Sequence, residues 1–486
     1  MSYGGLPGGH YQPLSADQVE RLHEAALTVL EQTGFQYEPD LDENLKATEA
    51  FDMVVDRAHH RIYFPRDKLM EQVHKAPQRV VLYSRDGKND LHLADDRVYL
   101  GTGGAAIKIL DLETGETRHT TLRDLYDLGR LVDQLNNIHF FLRPCIPKDI
   151  PEALYDENVF YTCLKATAKH VMAGVNDIAG FHKMLDIAAM VAGNLESLKA
   201  RPFVSVIASF AISPLRLCTH STRIMQEAVR QKIPVALSCA PMAGVTSPIT
   251  MSGTLVQTHA EQLAGIAICQ MTNPGAPVLY GGIPGRANLW NLGYQGGSVE
   301  CGMMNAAIHQ LARHIKVPNY NSSGLTDAKI PDAQAGWEKA MTTLLAAMGG
   351  SNYVHHAAGM LNCMLTVAHE QFVIDDEIIG QCCKVLAGIS TDSKHLALEV
   401  IDSAARGNAF IKSAHTMKHM TTEYFNGNGV TDTKNLDKWI KAGRLDAWTR
   451  ARNIAKQTLG RSGPDYMPTE IDSAIRQKYD IRLQSR

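Results

Sequence analysis

The chain has 486 residues, a formal net charge of −3 and a 45% hydrophobic content. That length carries one large α/β domain with extensions, or two domains. The near-neutral balance, without a basic stripe, argues against nucleic acid or anionic membrane as partners, and no apolar run reaches the length of a membrane span.

Met1 to Pro13 is rich in Gly, Pro and Tyr and lacks the basic-then-apolar layout of a signal peptide, so a loose arm is expected. Ala16 to Gly34 reads as an amphipathic helix with Ser15 as N-cap and Gly34 as stop. Met70 to Ala76 reads as a second helical piece ended by Pro77. Gln78 to Asp95 holds short strands, with Arg85-Asp86-Gly87 as a turn. Residues 1–96 are therefore expected to be an N-terminal helical and hairpin cap.

Eight short β-like runs follow: Val98–Gly103, Ile138–Arg143, His170–Gly174, Phe203–Ala208, Pro234–Cys239, Pro277–Gly282, Pro318–Ser323 and Asn352–Ala357. Amphipathic helical patterns separate most of them, at a spacing of roughly 30 to 40 residues, as successive βα units require. The runs are nearly continuous in small or β-branched residues, as for parallel strands buried on both faces. An α/β fold of the TIM (β/α)8 barrel type is expected over residues 97–390. A doubly wound open sheet is the competitor, since periodicity alone does not separate the two. Gly115 makes Asp111–Thr117 look like a hairpin turn. Residues 391–486 are expected to be a C-terminal helical extension.

The nine cysteines are odd in number and scattered, mostly within apolar segments. That pattern suits reduced thiols and a cytoplasmic location better than a disulfide framework. His415 and His419 have the spacing of a ligand pair on one helix face, but the Glu of a His-Glu-x-x-His zinc motif is missing. They read as surface or packing histidines. Gly101-Thr-Gly-Gly104 lacks the Lys-Ser/Thr that would make it a phosphate loop.

The stretch Asn321-Ser-Ser-Gly-Leu-Thr-Asp-Ala-Lys-Ile-Pro-Asp-Ala-Gln-Ala-Gly336 lies between a strand run and a helical pattern, where α/β barrels keep their chemistry. It resembles the core motif of the trimethylamine methyltransferase family. Further blocks resemble the same family: Gly101-Thr-Gly-Gly-Ala-Ala106 with Asp111-Leu-Glu-Thr-Gly-Glu116, Thr120-Thr-Leu-Arg-Asp-Leu125, Ser213-Pro-Leu215, Pro241 to Leu255, Asn273-Pro-Gly-Ala-Pro-Val278 and His356-Ala-Ala-Gly359. The resemblance implies methyl transfer from an amine to the cobalt of a separate corrinoid protein. Founding members carry pyrrolysine in the loop, just before Ser/Thr-Asp-Ala-Lys, and Leu325 stands at that position here. Relatives without pyrrolysine use quaternary amines: glycine betaine, the first choice here, proline betaine, carnitine or γ-butyrobetaine.

A quaternary ammonium carbon needs no proton and no metal to activate it. The enzyme has to bind the cation, aim one methyl outward and exclude water. The corrinoid (cobamide) is accordingly expected on a partner protein, with no metal in this chain. Aromatic faces attract such cations by about 0.5–2 kcal/mol each. Tyr280, Trp290, Tyr294, Tyr320 and Tyr353 are the candidates, with Tyr280 and Tyr353 foremost. An arginine fork suits a substrate carboxylate; Arg143 comes first, then Arg313 and Arg286. Leu325, Asp327 and His356 are the candidate catalytic positions, with Asn321 on the pocket floor. Of His355 and His356, alternation allows only one to face inward. A homo-oligomer is expected. Two rival readings are a non-catalytic quaternary-amine binder or regulator, and a barrel methyltransferase with another methyl donor.

Overall fold

The computed structural model describes residues 4–484. From Gly4 the N-terminal arm is tied down, because Leu6–Pro7 pairs antiparallel with Val98 and Arg97. Tyr11 N also donates to Met348 O at 3.1 Å. The expected loose arm thus becomes an edge strand, while Met1–Tyr3 lie outside the described residues. Helix α1, Ala16–Gln32, starts at Ser15 through a capping box with Gln18.

Strands β1 (Val80–Leu82) and β2 (Leu91–Leu93) form an antiparallel hairpin. Eight strands then match the eight runs: β3 Arg97–Thr102, β4 Phe141–Leu142, β5 Val171–Ala173, β6 Val204–Ala208, β7 Val235–Cys239, β8 Val278–Gly282, β9 Tyr320–Ser322 and β10 Tyr353–Ala358. The Gly115 turn does join a hairpin, with Lys108–Leu110 paired to Thr117–His119. The helices that matter for the site are α2 (Met251–Thr272), α3 (Val299–His314), α4 (Ala333–Gly349) and α5 (His369–Ala387).

The fold is mixed α/β with two parallel sheet segments. One has the order β4-β5-β6-β7-β8, the other β9-β10-β3 with Leu6–Pro7 at its edge. Register is set by pairs such as Leu237 with Tyr280 and Tyr320 with Tyr353. At one join Tyr280 N donates to Pro318 O at 2.9 Å, and at the other His139 N donates to Leu100 O at 2.9 Å. One buried cluster gathers Tyr99, Phe140, Leu142, Met172, Ala236, Leu279, Tyr320 and Tyr353, with Ile207 packed against it. The hairpin contributes Val80, Leu82, Leu91 and Leu93 to this same cluster. It sits at the N-terminal ends of the strands, where Tyr83 N meets Pro202 O and Arg85 N meets Ala168 O.

All nine cysteines are free, and only Cys218 and Cys363 are less than fully buried. No helix among the described residues is long and apolar enough to cross a membrane.

Candidate active site

The candidate site residues gather at the C-terminal ends of the strands. Strand β10 bulges between Val354 and Ala358, and His356 takes a left-handed backbone at φ +63°. The bulge re-aims the chain, so the two neighbouring histidines lie side by side, ring centroids 3.7 Å apart. The strict alternation expected from sequence fails here for this reason.

Hydrogen bonds fix the tautomer of His355. His355 Nδ1 donates to Asn321 O at 2.6 Å, which leaves Nε2 to accept from the Tyr320 hydroxyl at 3.1 Å. The Tyr320 ring stacks on His355 at 4.2 Å. His356 Nδ1 lies 2.8 Å from Ser322 Oγ. Burial lowers His355 to about 3. It holds His356 well below the usual range too, with help from His355 and Lys339. Both rings are therefore neutral at working pH.

Glycines let the neighbouring chain pack close to the histidines. A side chain at Gly103 would meet His355 Cβ at 3.0 Å, and one at Gly104 would meet Met360 Sδ at 2.6 Å. These glycines allow close packing around the histidines. Ile207 and Ile283 pack against the interior cluster yet remain half-buried, so the interior opens at this end.

Leu325 is 2% exposed. It is covered by the loop after β8, since a side chain at Gly296 would meet its Cβ at 2.8 Å. Helix α4 grips the loop that carries it. Thr326 Oγ1 and Asp327 N both donate to Glu338 Oε2, at 2.5 and 2.8 Å. Gly324 N donates to Thr342 Oγ1 at 3.1 Å, and Lys339 Nζ donates to Gly324 O. Asp327 is half-buried and accepts from the Cys363 thiol. Burial raises its carboxyl above the usual range.

Arg143 follows β4 at the same end and is half-buried. Its Nη1 donates to Tyr155 Oη at 2.6 Å, and its buried Nε has no partner. One donor direction is thus free for an acceptor brought by a ligand. No hydrogen bond joins Arg143 to the histidine pair among the described residues.

Other expected side chains point elsewhere. Tyr353 belongs to a deeper interior layer, stacked on Phe140 at 3.6 Å, with its hydroxyl unpartnered. Tyr280 faces α2 and bonds His259 Nδ1 at 2.9 Å. Asn321 faces α3, donating to Asn305 O at 2.9 Å and Ser351 Oγ at 2.7 Å. Arg313 lies at the opposite end of the strands, 2.9 Å from Asp95 and 3.4 Å from Asp96. Arg286 pairs with Glu300 at 3.1 Å, and Trp290 is 97% exposed. The Lys339–Asp375 pair below the Leu325 loop escaped the sequence reading, because no motif marks it.

The family model for trimethylamine methyltransferase (MTTB) matches residues 7–485. Trimethylamine methyltransferase MttB of Desulfitobacterium hafniense (strain DSM 10664 / DCB-2) is 34% identical over 462 residues, 95% of this chain and 92% of that one. Glycine betaine methyltransferase of Desulfitobacterium hafniense (strain Y51) is 31% identical over 470 residues, 96% of each. Trimethylamine methyltransferase MttB of Methanosarcina barkeri (strain Fusaro / DSM 804) is 30% identical over 480 residues, 97% of this chain and 94% of that one. The solved structure of a hydroxylamine MtmB complex superposes with a TM-score of 0.54 over 93% of this chain and 88% of that chain, at 11% identity, so it shares the fold. The family match and these relatives, which span nearly the whole chain, make this protein a methyltransferase. It belongs to the trimethylamine methyltransferase family.

Proposed function

We propose that this chain moves one methyl group from a quaternary amine to Co(I) of a cognate corrinoid protein, with glycine betaine the first substrate to test. The observation that carries this reading is Leu325, an apolar side chain where the resemblance puts pyrrolysine in trimethylamine enzymes. It brings no electrophile, so the substrate has to arrive already activated, as a quaternary ammonium is. The neutral floor supports the same reading. Charged imidazoliums would repel a cation, and burial keeps His355 and His356 uncharged.

The chain's own part is binding, orientation and exclusion of water. The Tyr320, His355 and His356 rings give the site an aromatic wall that suits an ammonium. The free Nε of Arg143 suits a carboxylate tail. Leu325 shields the reacting methyl on one side. The corrinoid, when its carrier docks, supplies the nucleophile that takes the methyl group. A docking face is available: Val245, Ile249, Leu289, Trp290 and Leu292, on the loops after β7 and β8, are exposed apolar side chains.

A closed (β/α)8 barrel over residues 97–390 underlies this reading. Its supports are the backbone bonds at both joins and the interior cluster fed by all eight parallel strands. Residues 1–96 then act as cap and residues 391–486 as a helical extension. A cytoplasmic homo-oligomer fits the free thiols and the family. The test is methylcobalamin formation from cob(I)alamin, with glycine betaine and trimethylamine side by side. Transfer from neither, with tight betaine binding, would favour a binder or regulator.

A further inference from the structure

After α5 the chain makes an excursion. No residue from 387 to 429 is buried. Val430, which is 5% exposed, marks the return, and Asn428 Nδ2 donates there to Val373 O of α5 at 2.9 Å. The excursion still holds helices α6 (Ser393–Leu396) and α7 (Ala414–His419), with Leu398–Ala405 between them. A segment of this size without a core needs a staple. A disulfide is excluded, because the last cysteine is Cys383.

Three ligating side chains meet in this segment. The donor atoms of His395, His419 and Glu423 all lie within 4.8 Å of one another. His395 Nε2 is 3.9 Å from Glu423 Oε2, and the His395 and His419 rings are 5.0 Å apart. Asp392 Oδ2 lies 2.7 Å from His395 Nδ1. That bond makes Nδ1 a donor to Asp392 and turns Nε2 toward the Glu423 carboxylate. Nε2 and the carboxylate can then share one cation between them. A carboxylate behind a histidine is also the usual outer partner of a metal-bound imidazole.

We propose that His395, His419 and Glu423 bind one divalent transition-metal ion of the zinc class, with a water in the fourth position, as a structural staple of this excursion. Two imidazoles and a carboxylate are a zinc-type donor set. Tetrahedral zinc sets its ligand atoms about 3.3 Å apart, so the three side chains close up by roughly 0.5–1.5 Å around the ion. His415 is not counted as a ligand, because its Nε2 lies 3.1 Å from Lys394 O and ties α7 to α6. None of the strand-end residues belongs to this set.

The test uses the full-length chain, stripped with a chelator and titrated with zinc against a chromogenic indicator. One zinc per chain is expected. His419→Gln and Glu423→Gln should each weaken binding at least tenfold, and Asp392→Asn by about tenfold or more. Zinc should slow tryptic cleavage at Lys394, Arg406, Lys412 and Lys418 in the parent chain but not in His419→Gln. These side chains are outside the core, so the variants should keep the parent's thermal melting. Failure of the parent to take up zinc would overturn the proposal. So would equal zinc binding by a His395→Gln, His419→Gln, Glu423→Gln triple variant, or tryptic protection that follows protein concentration instead of zinc, which would assign the cover to a second copy.

Discussion

Lys339 Nζ and Asp375 Oδ2 lie 3.2 Å apart with both side chains fully buried. The pair joins α4 to α5 and holds the loops that follow β9 and β10. Lys339 also donates to Gly324 O and to Met360 O, while Asp375 Oδ2 accepts from Gly359 N at 2.7 Å. Burial raises Asp375 to about 6 and lowers Lys339, and each charge opposes the shift of the other.

Replacing one partner should therefore be costly. Lys339→Met strands a buried carboxylate and two carbonyls. It should destabilise the protein by about 3–5 kcal/mol, read as a lower urea midpoint, and should slow methyl transfer because the Leu325 loop loses an anchor. The double variant Lys339→Met, Asp375→Asn should recover part of the stability. A single variant as stable as the parent would show that the pair does not hold the loops.

Leu325 tests the substrate class. The protein should ignore trimethylamine and demethylate a betaine once only. Leu325→Met, which nearly conserves volume, should keep most of the activity. Leu325→Ala should lose less than about tenfold in turnover, although the cavity costs about 2–5 kcal/mol of stability. Robust transfer from trimethylamine would refute the quaternary-amine reading.

Arg143 tests the substrate's tail. Arg143→Ala should raise KM for a betaine by about 10–100-fold with a smaller change in kcat, because a tail contact persists from ground state to transition state. Arg143→Lys should rescue little, since the Nε donor is gone. Choline should be a poor substrate for the parent. Unchanged betaine kinetics in the alanine variant would remove Arg143 from the site.

Acid should weaken the fold before it touches the chemistry. Burial lowers His139 and His355 to about 3 and His170 to about 4. His23 falls to about 4 through burial and then His314. In the unfolded chain these groups titrate near 6.5, so below that pH the unfolded state takes up protons that the native state refuses. Stability should fall as pH drops from 6.5 toward 4. Asp156 and Asp375, raised to about 6 by burial, act in the opposite direction between about 6 and 4 and soften the fall. Urea midpoints should be level from pH 7 to 8 and lower at pH 5. A flat profile down to pH 4.5 would contradict the burial of these rings.

The eight strands were legible because each run is dense in small and β-branched residues. Their facing was not. Parallel strands are buried on both sides, so no apolar–polar alternation marks the inward side. Tyr280 illustrates this: Leu279 joins the interior cluster and Tyr280 turns to α2. Asn321 turns to α3 in the same way. The direction of Arg313 was legible in principle. A helix after a strand runs back toward the strands' N-terminal ends, so a residue in its last turn lies far from the mouth. The bulge at His356 left no local signal, because a histidine at positive φ is held by its surroundings. Glu423 follows His419 by four residues, but His395 joins them only through the fold.

The β1–β2 hairpin stoppers the strands' N-terminal ends with Val80, Leu82, Leu91 and Leu93. On the proposed reading the interior is then a blind tube with a single doorway. The amine enters and the demethylated product departs by the opening that the carrier protein covers. Traffic has to be sequential: amine in, carrier on, carrier off, product out. Steady-state kinetics should therefore show compulsory order, and a non-reactive carrier in excess should trap bound betaine and slow its release.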